Sequence, residues 1–416
     1  MNKLTKSMIA TLGAGALSLG LAVGAEGAEP EPYSPFTDVG KDSDAYEPIL
    51  NVFHKDIMSG YRVELPNHEV KFEMRPYQKV TRAQAAKMLA VGLGNAHATQ
   101  EVSEFPDIDE TYWGHDYITL LEKEGVVSGD SEGNFNPGQS LNRAQIAKML
   151  VEGFDLPFDE NDTDTGFSDV DADDWEAPYV KALVDAGITT GTTPDTFSSY
   201  QSVTRYQLAA FIDRYYENFE LNEDQAFVQV RCTVREMQNT FYHYVGKTEP
   251  WEDPLPYESF QNEMRETITM NIEPEVKENF IKQCRACDGF FYGAVIGHRI
   301  NYELLENTED RITISFVEPG NALTSIVKFS LSIVNENGKW KLDQYKGKTF
   351  DTEDEIFTLS AEEALNYTES NYRTNTTFTV IRAELIEQEG DLYTIRIVTP
   401  DENQDVVFNR HFGLIY

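Results

Sequence analysis

The sequence predicts a multidomain protein in which an all-α array of three helix-loop-helix repeats precedes an α+β tail with a curved antiparallel sheet. Three observations carry this reading. One motif recurs three times between residues 36 and 218, the hydrophobic spacing after residue 223 shifts from helical to alternating, and a charge-free apolar run occupies residues 8–25. A length of 416 residues fits about three domains at ~150 residues each. A 40% hydrophobic and 12% aromatic content supplies packed cores. The net charge of −37 repels phosphate backbones and excludes a general nucleic-acid partner. Three cysteines exclude a disulfide scaffold.

The first element is an address. Lys3 and Lys6 precede the uncharged run from Met8 to Ala25, and Val23-Gly24-Ala25 supplies small residues before a cut, with Ala28 as a second option. This is the pattern of a secretory signal peptide over residues 1–25, so an exported, soluble chain with no membrane partner after cleavage is expected.

The repeats open at Phe36-Thr37-Asp38-Val39, Phe105-Pro106-Asp107-Ile108 and Phe167-Ser168-Asp169-Val170. Each Phe lies 24 residues before a glycine: Gly60, Gly129 and Gly191. The tetrads Thr81-Arg82-Ala83-Gln84, Asn142-Arg143-Ala144-Gln145 and Thr204-Arg205-Tyr206-Gln207 follow, 21 residues after Gly60 but 13 after the other two. Repeat one therefore carries an eight-residue insertion within residues 61–73. In repeat two the first helix is expected from about Thr111 to Glu124, closed by Gly125, and Gly187 plays that part in repeat three. Thr81, Asn142 and Thr204 are N-caps of the second helices, and Gln84, Gln145 and Gln207 three positions on complete capping boxes. Asp38, Asp107 and Asp169 are expected to cap or brace helices.

The Phe-x-Asp-Val opening, the Trp eight residues on, the Gly-x-Phe loop and the polar-Arg-x-Gln tetrad together resemble the S-layer homology (SLH) family. Modules at 36–95, 105–156 and 167–218 cover just under half the chain. The resemblance implies a pseudo-threefold SLH trimer whose inter-module grooves hold secondary cell-wall polysaccharide, typically its pyruvylated sugar, non-covalently. It also implies a bacterial, Gram-positive cell-surface location, with the peptidoglycan-linked glycan as partner. Arg82, Arg143 and Arg205 match the chemistry: a guanidinium fork meets a carboxylate bidentately, and a helix N-terminus adds favourable dipole. Trp113 and Trp175 are candidates for stacking on sugar, and Gln84, Gln145 and Gln207 complete the candidate polysaccharide contacts. In repeat one Asp44 replaces the Trp and Asp56 the Gly125/Gly187 position, so Arg143→Ala is expected to weaken wall binding more than Arg82→Ala.

The acidic stretch from Asp159 to Asp174 lacks the Gly and Glu of a calcium loop and reads as a solvated linker, so no metal is expected. Beyond it, Phe227, Val230, Val234, Met237, Phe241 and Tyr244 follow the 3-4 spacing of one long helix, broken by Pro250–Pro256. Helices near 257–269 and 274–288 precede strands near 299–305, 311–317, 322–334 and 339–345, turned at Pro319-Gly320 and Asn337-Gly338. This order within residues 223–350 resembles the nuclear-transport-factor-two-like cone fold. Residues 351–416 form a small α+β unit, with Ser360 capping a helix and strands near 377–386, 391–399 and 405–416.

No catalytic or cofactor motif stands out. Cys284-Arg285-Ala286-Cys287 is a lone CxxC, and a disulfide from Cys232 to Cys284 or Cys287 is open to an exported chain. His243, His298 and His411 are the tail histidines. A wall-anchored protein with a binding tail is the expected function. A wall-displayed enzyme and an S-layer lattice subunit are the alternatives.

Overall fold

The computed structural model describes residues 36–64, 70–94, 101–245, 255–286, 301–318, 327–349, 358–375, 382–399, 403–409 and 413–414. The signal segment, Pro319-Gly320, Cys287, His298 and His411 lie outside the described residues, as does 246–254 of the proline-rich break.

Each repeat is a helix, a loop and a second helix. The pairs are α1 (Tyr46–His54) with α2 (Arg82–Gly92), α3 (His115–Lys123) with α4 (Arg143–Gly153), and α5 (Ala177–Asp185) with α6 (Arg205–Asn218). The repeat-two helix starts later than Thr111 because Asp109 holds the Thr111 N–H and hydroxyl in a turn before the helix begins. All three capping boxes form, the N-cap oxygen accepting from the glutamine N–H and the glutamine oxygen from the N-cap N–H. Gly125, Gly187 and, in their place, Asp56 all take left-handed backbone angles, φ 76°, 69° and 60°. The array is not strictly all-α. The insertion in repeat one folds into the hairpin β1 (Tyr61–Glu64) and β2 (Val70–Glu73).

The repeats are joined through the first turns of α2, α4 and α6, whose N–H groups have no partner in their own helix. Arg82 and Ala83 donate to Gln139 and Pro137 of repeat two; Arg143 and Ala144 donate to Gln201 and Ser199 of repeat three. Arg205 and Tyr206 donate to Gln78 and Pro76 of repeat one, so the series returns to its start. At its centre Leu141 donates to Val80, Val80 to Val203, and Val203 to Leu141, all three side chains fully buried. Asp38, Asp107 and Asp169 brace loops rather than helices. Asp107 accepts from the N–H of Phe135 and of Asn136, at 2.7 Å each. Asp169 does the same for Phe197 and Ser198, and Asp38 for Met74 and Arg75. The second residue of each pair, Arg75, Asn136 or Ser198, is left-handed, with φ of 50°, 59° and 64°. That conformation turns successive N–H groups toward one carboxylate.

The tail begins with α7 (Glu223–Val245), 23 residues long, which crosses α1. Arg231 and Arg235 donate to the carbonyls of Lys55 and His54 at the open end of α1, and both pair with Asp56. Next come α8 (Gln261–Arg265) and α9 (Glu273–Ala286). The helix expected over 257–269 stops early because Thr267 and Thr269 bond instead to Leu342 of the sheet. That sheet is an antiparallel meander of β3 (Glu303–Asn307), β4 (Arg311–Glu318), β5 (Val327–Glu336) and β6 (Lys339–Thr349). Asn337 (φ 59°) and Gly338 (φ 87°) make the expected tight turn. The last unit packs α10 (Ala361–Asn375), capped by Ser360, on β7 (Arg382–Glu389) and β8 (Leu392–Val398). Strands β9 (Asn403–Asn409) and β10 (Gly413–Leu414) complete its sheet. One hydrophobic core runs from Phe36 through the repeats into the four-stranded sheet, and a smaller one fills the last unit.

Where α1, α6 and α7 meet, Lys55 is 4% exposed, its Nζ 3.8 Å from Cys232 Sγ and 5.0 Å above the Tyr216 ring. Burial pushes Asp213 up to about 7 against the pull of Lys55, while Asn51 donates to its carboxylate. A carboxyl raised in the folded state contributes stability that is complete below its unfolded value near 4 and lost as pH rises through about 7.

Asp107→Ala strands two loop N–H groups and should cost about 2–4 kcal/mol in chemical denaturation. Asp171→Ala, at an exposed acid in the linker, should stay within about 0.5 kcal/mol. Asp213→Asn should gain on the parent as pH rises from 4 to 7, by up to about 4 kcal/mol, read from denaturation midpoints at each pH.

Candidate functional site

The three tetrad arginines reach out of their own repeats. Arg82 donates from Nε to the Phe135 carbonyl at 2.6 Å and from Nη2 to Ser128 at 3.0 Å, with its guanidinium 4.5 Å above the Phe135 ring. Arg143 donates from Nε to Phe197 at 2.6 Å and from Nη2 to Thr189, over the Phe197 ring. Arg205 donates from Nε to Met74 and from Nη2 to Ser59, with the hairpin residue Tyr61 beneath it. The carbonyl each Nε holds belongs to a residue whose N–H is clamped by the Asp of that same repeat. Asp, loop and the previous repeat's arginine thus form one relay.

This changes the chemistry expected of the arginines. The Nε edge is committed to protein, so a ligand carboxylate can meet only the terminal amino groups. The first-turn N–H groups of α2, α4 and α6 are likewise spent on the neighbouring repeat and offer no anion site. Burial lowers the pKa of the Arg143 guanidinium to about 10 and that of Arg205 below its ordinary value, and the two residues are 2% and 4% exposed. Arg82 is the half-buried one.

The cross-repeat reach also decides which arginine the departures of repeat one affect. Arg82 works on the loop of repeat two, so the departures in repeat one do not touch its site. They fall on Arg205, whose loop carries the β1–β2 hairpin. Beside Arg82 a surface depression is lined by Asp107, Asp130, Asn136, Pro137, Gly138 and Gln139. Asp130 spends its oxygens on the N–H groups of Glu132 and Asn134 and on the Asn136 amide.

Trp113 and Trp175 are 53% and 50% exposed, open for stacking rather than packed in the core. Gln84, Gln145 and Gln207 are held by their caps, and Gln84 also donates to the Tyr61 hydroxyl. Sequence reasoning missed Tyr77 and Tyr200, each 70% exposed, which stand in repeats one and three where Gly138 stands in repeat two. Counting back four residues from each N-cap finds them.

In the tail, Cys232 is a free buried thiol, raised by burial to about 12, with its sulfur against Lys55, Glu236 and the Asn51 carbonyl. The expected disulfide from Cys232 is not formed, because its face of α7 is turned to α1. The side chain of Cys284 lies outside the described residues. His54 Nδ1, Cys232 Sγ and Glu236 Oε1 lie within 4.8 Å of one another and have the composition of a metal set. The Lys55 ammonium already supplies the positive charge there.

The S-layer homology domain family matches residues 104–147 and 166–209. A protein of Bacillus anthracis described as an uncharacterized cell wall amidase is 34% identical over 212 residues, 50% of this chain and 36% of that protein. An S-layer protein of Bacillus thuringiensis subsp. finitimus is 32% identical over 42% of this chain and 21% of its own length. A cellulosome-anchoring protein of Acetivibrio thermocellus is 29% identical over 36% of this chain and 34% of its own. The matches thus span about a fifth to a third of these relatives. No described helix is long and apolar enough to cross a membrane. Repeats two and three, with their paired helices, capping boxes and clamped loops, are two S-layer homology domains.

Proposed function

We propose that this chain is a bacterial cell-surface protein held non-covalently on the wall by its repeats, which bind secondary cell-wall polysaccharide and display the tail. The observation that carries the reading is the match of repeats two and three to the S-layer homology domain. Repeat one has the same capping box, Asp clamp and arginine relay, which supports counting it as a third module in a pseudo-threefold anchor. Relatives named for S-layers, a wall amidase and cellulosome anchoring fit a shared wall-binding segment with different cargoes.

Within that anchor the depression beside Arg82 is the principal polysaccharide site. Its arginine is the most exposed of the three, and Gly138 leaves room where tyrosines stand in the other repeats. The terminal amino groups of Arg82 meet a ketal carboxylate such as pyruvylated sugar carries, and Trp113 offers a stacking face.

The test is a pull-down of the full chain on purified sacculi, with and without their secondary polysaccharide. Arg82→Ala should lose about tenfold or more in retention, and Trp113→Ala a smaller amount. Arg205→Ala should act mainly by destabilising the ring, so its melting temperature falls. If the parent chain ignores the polysaccharide, the anchor reading fails. If Arg82→Ala binds as the parent does, the site assignment fails.

A further inference from the structure

Three lysines of the tail stand apart from the cations held inside the protein. Residues 327–349, the strands β5 and β6, carry five lysines against two acids in a chain of net charge −37. Lys339 and Lys341 pair with Glu266 and Glu336. Lys328, Lys346 and Lys348 lie at the other end of the two strands, all exposed. The register sets Lys328 opposite Lys348 and Lys346 opposite Ser330, so alternation puts the three lysines on one face of the sheet. Like charges facing each other across an antiparallel pair destabilise it. Lysine on a sheet edge keeps other strands from adding there, which accounts for Lys346 and Lys348 on the outer strand β6. It does not account for Lys328, because β5 is hydrogen-bonded on both sides, to β4 and to β6.

The three lysines line a surface depression of about 580 Å³ together with Ser330, Tyr345 and Glu275 from the start of α9. Burial and Glu278 raise the Glu275 pKa while Lys346 opposes them, so one acid stands within reach of the cations. Among the described residues lining the depression, three lysines face that single acid. No large apolar side chain of residues 327–349 is highly exposed, so the patch lacks the apolar centre of a protein interface. It fits a hydrated polymer instead. The ammonium groups meet its anionic groups, and Ser330 and Glu275 supply oxygen acceptors for its hydroxyls. A nucleic acid carries a charge on every residue, and the chain as a whole repels it. A polysaccharide with one carboxylate per repeat is less densely charged. Lysine is a point charge without the arginine fork, so it attracts a carboxylate without fixing its orientation.

We propose that Lys328, Lys346 and Lys348 form a tail-borne contact for a carboxylate-bearing wall polysaccharide, separate from the depression beside Arg82. The tail then holds the same class of polymer as the repeats, instead of only projecting from it. Two contacts on one polymer raise retention beyond either alone, because the second binding step is intramolecular. The choice of polysaccharide rests on the wall-binding reading; the preference for negative charge rests on the three lysines.

The experiment measures retention of the full chain on immobilised polygalacturonate, with dextran as the uncharged control, in about 0.05 M and about 0.5 M salt. Arg82→Ala is the starting chain, which removes the proposed repeat-two site. It should hold polygalacturonate and not dextran, and the higher salt should lower its retention about tenfold. Adding Lys328→Gln, Lys346→Gln and Lys348→Gln should lower the low-salt retention about tenfold as well. The melting temperature should hold or rise when facing like charges are removed, which keeps a binding loss distinct from misfolding. Lys123→Gln, Lys282→Gln and Lys339→Gln make the same charge change at exposed lysines outside the depression. Equal loss there would reduce the effect to bulk charge and overturn the proposal. Unchanged retention in the first lysine variant, or equal retention on dextran, would overturn it too. Polyglutamate held more tightly than polygalacturonate would make the patch a dock for an acidic protein and overturn the polysaccharide assignment. Sacculus binding of the parent is scored in parallel: retained there with no lysine effect on polygalacturonate, only this contact fails; lost there, the anchor reading fails independently.

Discussion

The constraint on which the structure depends is the unmet hydrogen bonding of three buried helix starts. An α-helix leaves its first N–H groups without internal partners, and burying them unpaired costs several kcal/mol per end. The capping box settles two donors at each start. The remaining first-turn donors of α2, α4 and α6 are settled by carbonyls of the next repeat, and the last repeat returns to the first. No repeat can be removed without exposing donors in one neighbour and acceptors in the other. Nor can the loops drift, since an aspartate clamps each from one side and an arginine from the other. The left-handed residues Arg75 and Ser198 have no strong preference for that conformation and are held in it by the clamp, while Asn136 tolerates it by its own chemistry.

Asymmetry enters on top of this shared circuit. Repeat two keeps glycine at 138 and an open depression. Repeat three has an exposed tyrosine at the matching place. Repeat one spends its surface elsewhere: its hairpin covers Arg205, and the end of α1 receives Arg231 and Arg235 from α7. Asp56 shows how one residue changes a repeat's role. In the other two repeats that left-handed corner is glycine, which offers no side chain. Aspartate tolerates the same backbone and adds a carboxylate that two tail arginines share. The tail is docked where the repeat departs from its pattern.

What could be read from the sequence follows the reach of each interaction. Capping boxes span three residues and the Asn337-Gly338 turn spans two, so both were legible along with the helices they bound. The hairpin's position was legible from the repeat spacing, but its strand character was not, since only the excess length shows in an alignment of repeats. The arginines were found and their partners were not. Arg82 holds a carbonyl 53 residues away and Arg205 one 131 residues away, and no local pattern records which loop a side chain enters. The short α8 fails for the same reason: Leu342, far along the chain, captures Thr267 and Thr269. Cys232 is an ordinary helix-face residue until its burial is known.

The charge balance draws these threads together. A chain of net charge −37 must place its few cations with care. Here they are spent inside: Lys55 at the junction of three helices, Arg143 and Arg205 in the ring, Arg231 and Arg235 on the end of α1. Each of these cations meets carbonyls, rings or carboxylates inside the protein. Arg82 departs from that pattern as the relay arginine left partly open, with Asp107 and Asp130 close enough to act on its charge.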